Sequence, residues 1–165
     1  LVGGENKGWE VVLAGLQVER ITSTAGYSGG AQAVLDLALQ YAKDRKQFGR
    51  PIGTFQAIGH MLADMQTELE AAHTLMWRAA WMVSQGKDAL KEISMAKLFG
   101  SEMYARVANM GMQIMGGYGY NMEFDMQRLF RDAHTANAHV MFSPDLQGTI
   151  FGQHELGVKG PPPLM

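Results

Sequence analysis

The feature that most constrains this chain is a helical rhythm of apolar residues, broken at only a few places. Apolar side chains recurring at steps of three and four mark one face of an α-helix. Val12, Leu13 and Leu16, then Val34, Leu37, Ala38 and Tyr41, predict a first helix from about Trp9 to Arg45. Gly26, Gly29 and Gly30 interrupt it, as a kink or as room for a second backbone or a ligand. The segment FGRPIG, Phe48 to Gly53, ends it, because proline and two glycines cannot continue a helix. A second helix is expected from about Thr54 to Gln85, with a stripe of Leu62, Leu69, Ala72, Met76, Ala79 and Val83. Met61, Met65, Leu75 and Met82 widen that stripe enough to require more than one neighbour. Gly86 closes the helix as a C-cap. A third runs from about Ala89 to Met115, turning Ile93, Ala96, Phe99, Met103, Val107, Met110 and Ile114 inward, and GGYGYN stops it. A short helix follows over Met126–Ala138. After Pro144 the rhythm dissolves, and GVKGPPPLM reads as a mobile tail. No strand pattern stands out. The expected fold is all-α, an antiparallel four-helix bundle over residues 1–142, with residues 143–165 a divergent, partly disordered tail.

Composition narrows the function classes. With 165 residues, 47% of them hydrophobic, the chain can bury one sizeable core. It has no apolar run of about 18 residues, so no transmembrane helix is expected. A formal net charge of −2 gives no reason to expect nucleic-acid binding. The absence of cysteine removes disulfides, thiolate metal sites and cysteine nucleophiles, and fits a reducing compartment. The opening LVGGENKGW carries no basic leader and reads as a segment from the middle of a longer protein. No two of the five histidines make the i, i+4 arrangement of a helical zinc site, so no metal is expected.

Three constellations could carry chemistry. In AKDRKQFGRPIG, Lys43, Arg45, Lys46 and Arg50 gather at a helix end, opposed only by Asp44. Cations there complement the helix dipole. The same forks of donors also suit a pyrophosphate, with Phe48 lying against an aromatic ring. In QIMGGYGYN, the glycines after Gln113 either form a plain helix stop or let backbone approach a ligand. The third is Glu19 beside Arg20. Leu16 lies one turn before Glu19, and Ser23 and Gly26 one and two turns after it. That carboxylate is either a solvated helix edge or a partly desolvated general base.

Taken in order, the motifs GxxxKGW, ER, YAKDRKQFGRPIGTFQAIGHMLADM, AKLFGSEMYARVANMGMQIMGGYGYNMEF and RLFRDA resemble the acyl-CoA dehydrogenases, over about Gly3 to Ala133. The resemblance implies the C-terminal helical domain of an FAD enzyme that oxidises acyl-CoA between Cα and Cβ. It implies homodimers or homotetramers, with electron-transfer flavoprotein or a similar acceptor as partner. The location implied is a bacterial cytoplasm or the mitochondrial matrix. Arg45 and Phe48 match positions that approach the flavin of a neighbouring subunit, and Gln56 matches another flavin contact. Gln113, Gly116 and Gly117 match the segment that meets the FAD diphosphate and adenosine. Many members carry the base in a late YEGT motif, eight residues after the Asp of RDA. Here that position is Val140. A minority carry it in the first helix, at the position of Glu19, with Arg20 beside it to hold CoA or orient the carboxylate. The resemblance leaves two further expectations: a reductase of the same fold, or a non-catalytic assembly subunit.

Overall fold

The computed structural model describes residues 2–138 and 144–157. Its long helices, α1 (Gly8–Asp44), α2 (Gln56–Ser84) and α3 (Leu90–Met115), fall within two residues of the expected bounds. A single turn, α4 (Gly117–Tyr120), leads to α5 (Met126–Ala138), and α6 (Pro144–Leu156) is the last described helix.

Side-chain pairs give the helix directions. Thr24 faces Gly100 and Val34 faces Gly111, so α1 and α3 run the same way. Glu68 pairs with Arg106, and Arg78 with Glu92, so α2 runs back against α3. The glycines set the α1–α3 spacing: a Cβ on Gly111 would stand 2.4 Å from Val34 Cγ1, and one on Gly100 would stand 2.7 Å from Thr24 Cγ2. A residue without Cβ lets the Val34 and Thr24 methyls seat directly against the α3 backbone.

The core joins Ala31, Val34 and Ala38 of α1 to Met65, Leu69 and Ala72 of α2 and to Met103 and Val107 of α3. Helix α5 adds Met126, Leu129, Ala133 and Ala136, a helical stripe that closes the bundle over α3. The apolar rhythm at the start of α1 meets no such cover: Trp9, Val12, Leu13 and Val18 remain exposed.

The structure departs from expectation in two places. A small sheet does form, as β1 (Lys46–Gln47) pairs antiparallel with β2 (Arg50–Pro51). Phe48 and Gly49 turn the chain at φ 52° and 78°, the positive pair that a two-residue hairpin demands. Two-residue strands are too short to show alternation. The second departure is α6, which lies in the segment expected to lose structure and packs on α3. Pro144 suits a first helical position. Gly148 and Gly152 dilute the apolar rhythm, and among the described side chains of α6 the most fully buried is Gln147. Val140 and the tail beyond Gly157 lie outside the described residues. Among the described residues, no helix is long and apolar enough to cross a membrane.

Candidate functional site

Because α1 and α3 run parallel, their C-terminal breaks meet at one end of the bundle. The hairpin after α1 thereby reaches the glycine turn after α3. At the first break the Arg45 N–H bonds Tyr41 O at 2.9 Å, and the Ile52 N–H bonds Arg45 O at 2.8 Å. The Arg45 guanidinium lies 5.5 Å over the ring of Tyr118. Tyr41, Arg45, Met115, Gly117, Tyr118 and Asn121 line one concave space of about 470 Å³. Two motifs some seventy residues apart in sequence thus share a pocket.

The hairpin carries an exposed aromatic tip. Phe48 is 93% exposed, an unusual position for a phenyl group. Its ring touches Phe55 edge-on at 6.2 Å, and the Arg50 guanidinium covers the other ring at 4.2 Å. A bulky residue at positive φ stores backbone strain of the order of 1 kcal/mol, and such strain collects at functional sites. Gln56 opens α2 on the same side, exposed, its amide 3.4 Å from His60 Nε2. On α3, Gln113 is exposed one turn before the exposed pair Gly116 and Gly117. Gly116 sits at φ 57° and ψ −135°, a conformation that glycine adopts freely. An exposed phenyl, a guanidinium and an open glycine backbone together suit a ligand with an aromatic system and a diphosphate.

Glu19 stands elsewhere. It is exposed on α1, 26 residues before Arg45 along one helix, or about 39 Å at 1.5 Å per residue. The structure separates it from its neighbour in sequence: Arg20 turns inward and is only 6% exposed. A side chain so buried is badly placed to hold a CoA at the surface. Its Nε meets no hydrogen-bond partner among the described residues, and burial lowers its pKa against the opposing pull of Glu19.

Beneath Glu19 lies a cluster that the apolar rhythm did not reveal. Arg20, Thr24 and Ser28 of α1 are buried together with Ser94, Lys97 and Ser101 of α3. Lys97 is fully buried and donates to the Tyr27 hydroxyl at 3.3 Å, its ammonium 4.5 Å from that ring's centre. Burial, then the neighbouring Arg20 charge, push the Lys97 pKa down to about 8. The signal was present in the spacing: polar residues at i, i+4, i+8 on α1 and at i, i+3, i+7 on α3 each trace one helical stripe. Among the described residues, no group of three or more His, Cys, Asp or Glu side chains converges as a metal site would need.

Known proteins align with this architecture. The family model for the acyl-CoA dehydrogenase C-terminal domain matches residues 6–138. The chain is 46% identical over 133 residues to a probable acyl-CoA dehydrogenase, YngJ, of Bacillus subtilis, covering 81% of this chain and 35% of that protein. It is 45% identical over 151 residues to the caffeyl-CoA reductase–Etf complex subunit CarC of Acetobacterium woodii, covering 92% of this chain and 40% of that one. Its fold superposes on the solved structure of PigA with FAD and proline at a TM-score of 0.89 and 30% identity, covering 96% of this chain and 41% of that one. The chain therefore spans well under half the length of these relatives.

Proposed function

Since this chain belongs to the acyl-CoA dehydrogenase family, as its C-terminal domain, we propose that it completes the flavin and substrate sites of an FAD-dependent acyl-CoA dehydrogenase. The observation that carries this reading is the hairpin tip. Phe48 is 93% exposed at positive φ, beside Arg45 and the pocket that Gly117 lines. A phenyl held in water against its backbone preference fits a group waiting to be covered. The flavin of a second copy of the chain is the proposed cover. Arg45 pairs with its diphosphate, and Gln56, Gln113, Gly116 and Gly117 complete the polar contacts.

In this reading Glu19 removes the α-proton of the acyl thioester. Bound FAD would accept the β-hydride, and electron-transfer flavoprotein or a similar acceptor would reoxidise it. Thioester α-protons are weakly acidic, so the carbonyl must be polarised by hydrogen bonds that strengthen as enolate charge develops. Arg20, buried below Glu19, serves as a fixed positive charge behind the carboxylate rather than as a CoA contact.

Stopped-flow flavin reduction by acyl-CoA, in the full-length enzyme, tests the base. Glu19→Gln should slow reduction by about two to four orders of magnitude and leave flavin content unchanged. Equal rates in the two proteins would overturn the assignment. The likeness to CarC, a reductase subunit, favours a second reading in which the same site runs toward the saturated thioester. Assays in both directions with a suitable donor and acceptor separate the two.

A further inference from the structure

Arg45 is anchored twice, once through its backbone and once through its side chain. At the end of α1 its N–H donates to Tyr41 O, and its carbonyl accepts from the Ile52 N–H. Its half-buried side chain pairs with no carboxylate among the described residues. The adjacent acid, Asp44, accepts instead from Gln40 Nε2 at 2.8 Å. What the Arg45 guanidinium does meet is the ring of Tyr118, 5.5 Å from its centre.

Tyr118 is brought there by the glycine turn. Gly116, at φ 57°, turns the backbone out of α3, and the Gly119 N–H donates to Gly116 O at 2.9 Å. Gly119 is buried, and a Cβ there would stand 3.0 Å from Met112 Sδ and 3.1 Å from Met115 Cβ. The single turn α4 therefore lies tight on α3. Two further rings flank that of Tyr118: Tyr41 of α1 at 6.0 Å, and Phe124 edge-on at 5.6 Å and 90°. The ring beneath Arg45 is thus braced from α1 and from the segment that leads to α5.

How an arginine is held decides what it can still bind. A carboxylate partner would occupy the guanidinium's donors and cancel its charge. A ring face attracts the same charge through its quadrupole and leaves the fork of N–H groups open to an anion. A long side chain also loses rotamer freedom when it grips a ligand, and a ring that already holds it reduces that loss.

We propose that Tyr118 is a positioning residue for the flavin site: its ring, braced by Tyr41 and Phe124, pre-sets Arg45 to meet a diphosphate while leaving the arginine's donors free. This rests on the reading of Arg45 as a diphosphate contact, and Tyr118 acts through Arg45 alone.

The test is a double-mutant cycle on FAD affinity in the full-length enzyme, read from the FAD released on dilution. Arg45→Ala should weaken FAD binding. Tyr118→Leu should weaken it about fivefold, the scale of one cation–π contact, and Tyr118→Phe, which keeps the ring, should stay within about twofold of the wild type. In the Arg45→Ala background Tyr118→Leu should add nothing, because no guanidinium is left to hold. A packing defect would lower affinity in both backgrounds, and so would a ring that touched the flavin itself; an undiminished effect there overturns the proposal. A Tyr118→Phe enzyme that fares as badly as Tyr118→Leu overturns it too. If Tyr118→Leu fails to assemble, Tyr118→Met, a flexible chain with no ring face, takes its place in the cycle. Full affinity in Arg45→Ala would sink the diphosphate reading, and this inference with it. A loss in Arg45→Ala beside an unaltered Tyr118→Leu would sink this inference alone.

Discussion

Lys97 is a cation that the bundle keeps entirely from water. Such burial disfavours the charged form, and the Lys97 pKa drops from 10.5 to about 8 in the folded chain. The unfolded chain therefore binds more protons between those two values, and stability rises with pH across that window. The cost is present in full below about pH 8 and is relieved as pH passes the unfolded value, with a ceiling of about 3 kcal/mol. Lys97→Met should remove this rise with pH and unfold at a higher urea concentration at pH 7, because a buried charge is replaced by an apolar chain of similar length. Urea titrations of this chain from pH 7 to 10 check it: a wild-type midpoint that does not rise with pH, or a variant that unfolds earlier at pH 7, contradicts the account. The same residue shows why part of the site escaped the apolar reading. A lysine in a sequence is read as a solvated charge, and only the stripe it forms with Ser94 and Ser101 hints otherwise.

Between α1 and α2 the decisive element is the hairpin. Its turn puts Phe48 at φ 52°, where glycine would sit with less strain. Phe48→Gly should therefore leave the stability of the chain unchanged or raise it by up to about 1 kcal/mol. In the flavoenzyme the same change should weaken FAD retention about tenfold, if the phenyl covers a flavin. Urea unfolding and flavin dissociation measured on the same variant check both halves. A variant that loses stability while keeping flavin would mean that the phenyl serves the hairpin, not the cofactor. Sequence alone marked FGRPIG as a break and could not show the sheet, because hairpin geometry resides in two dihedral angles rather than in any periodic pattern.

For the molecule as a whole, the unbroken length of α1 sets the stoichiometry of the proposed site. Glu19 and Arg45 lie about 39 Å apart along it, while a small-molecule pocket of roughly 300–1,000 Å³ is far shorter than that. One copy therefore cannot bring both to the same reacting centre, and the proposal requires a second. The exposed apolar turns at the start of α1, with Trp9, Val12 and Leu13, and the exposed Trp77 and Trp81 of α2 also lack cover among the described residues. If two-fold copies exchange their hairpins, subunits carrying Glu19→Gln and subunits carrying Arg45→Ala should complement each other when co-expressed. Random pairing of equal amounts restores about a quarter of wild-type sites, because each mixed dimer regains one intact site. Flavin reduction no greater than that of the two variants assayed apart would show that each chain builds its site alone.

The sequence by itself determined the three long helices and α5, their breaks and the family. Those rest on local rules: the spacing of apolar residues, and the inability of Pro51 and of the glycines at Gly49, Gly86 and Gly116 to extend a helix. It also marked Arg45, Phe48, Gly116 and Gly117 as residues to watch, through the order of their motifs. Only the tertiary structure decided which of these meet. The parallel run of α1 and α3, set by close packing at Gly100 and Gly111, brings Arg45 over Tyr118 and leaves Glu19 far away. It likewise sent Arg20 inward and Glu19 outward from adjacent positions, a matter of about 100° around one helix. Which side of that helix finds cover depends on what packs against it, and neighbours distant in sequence supply that packing.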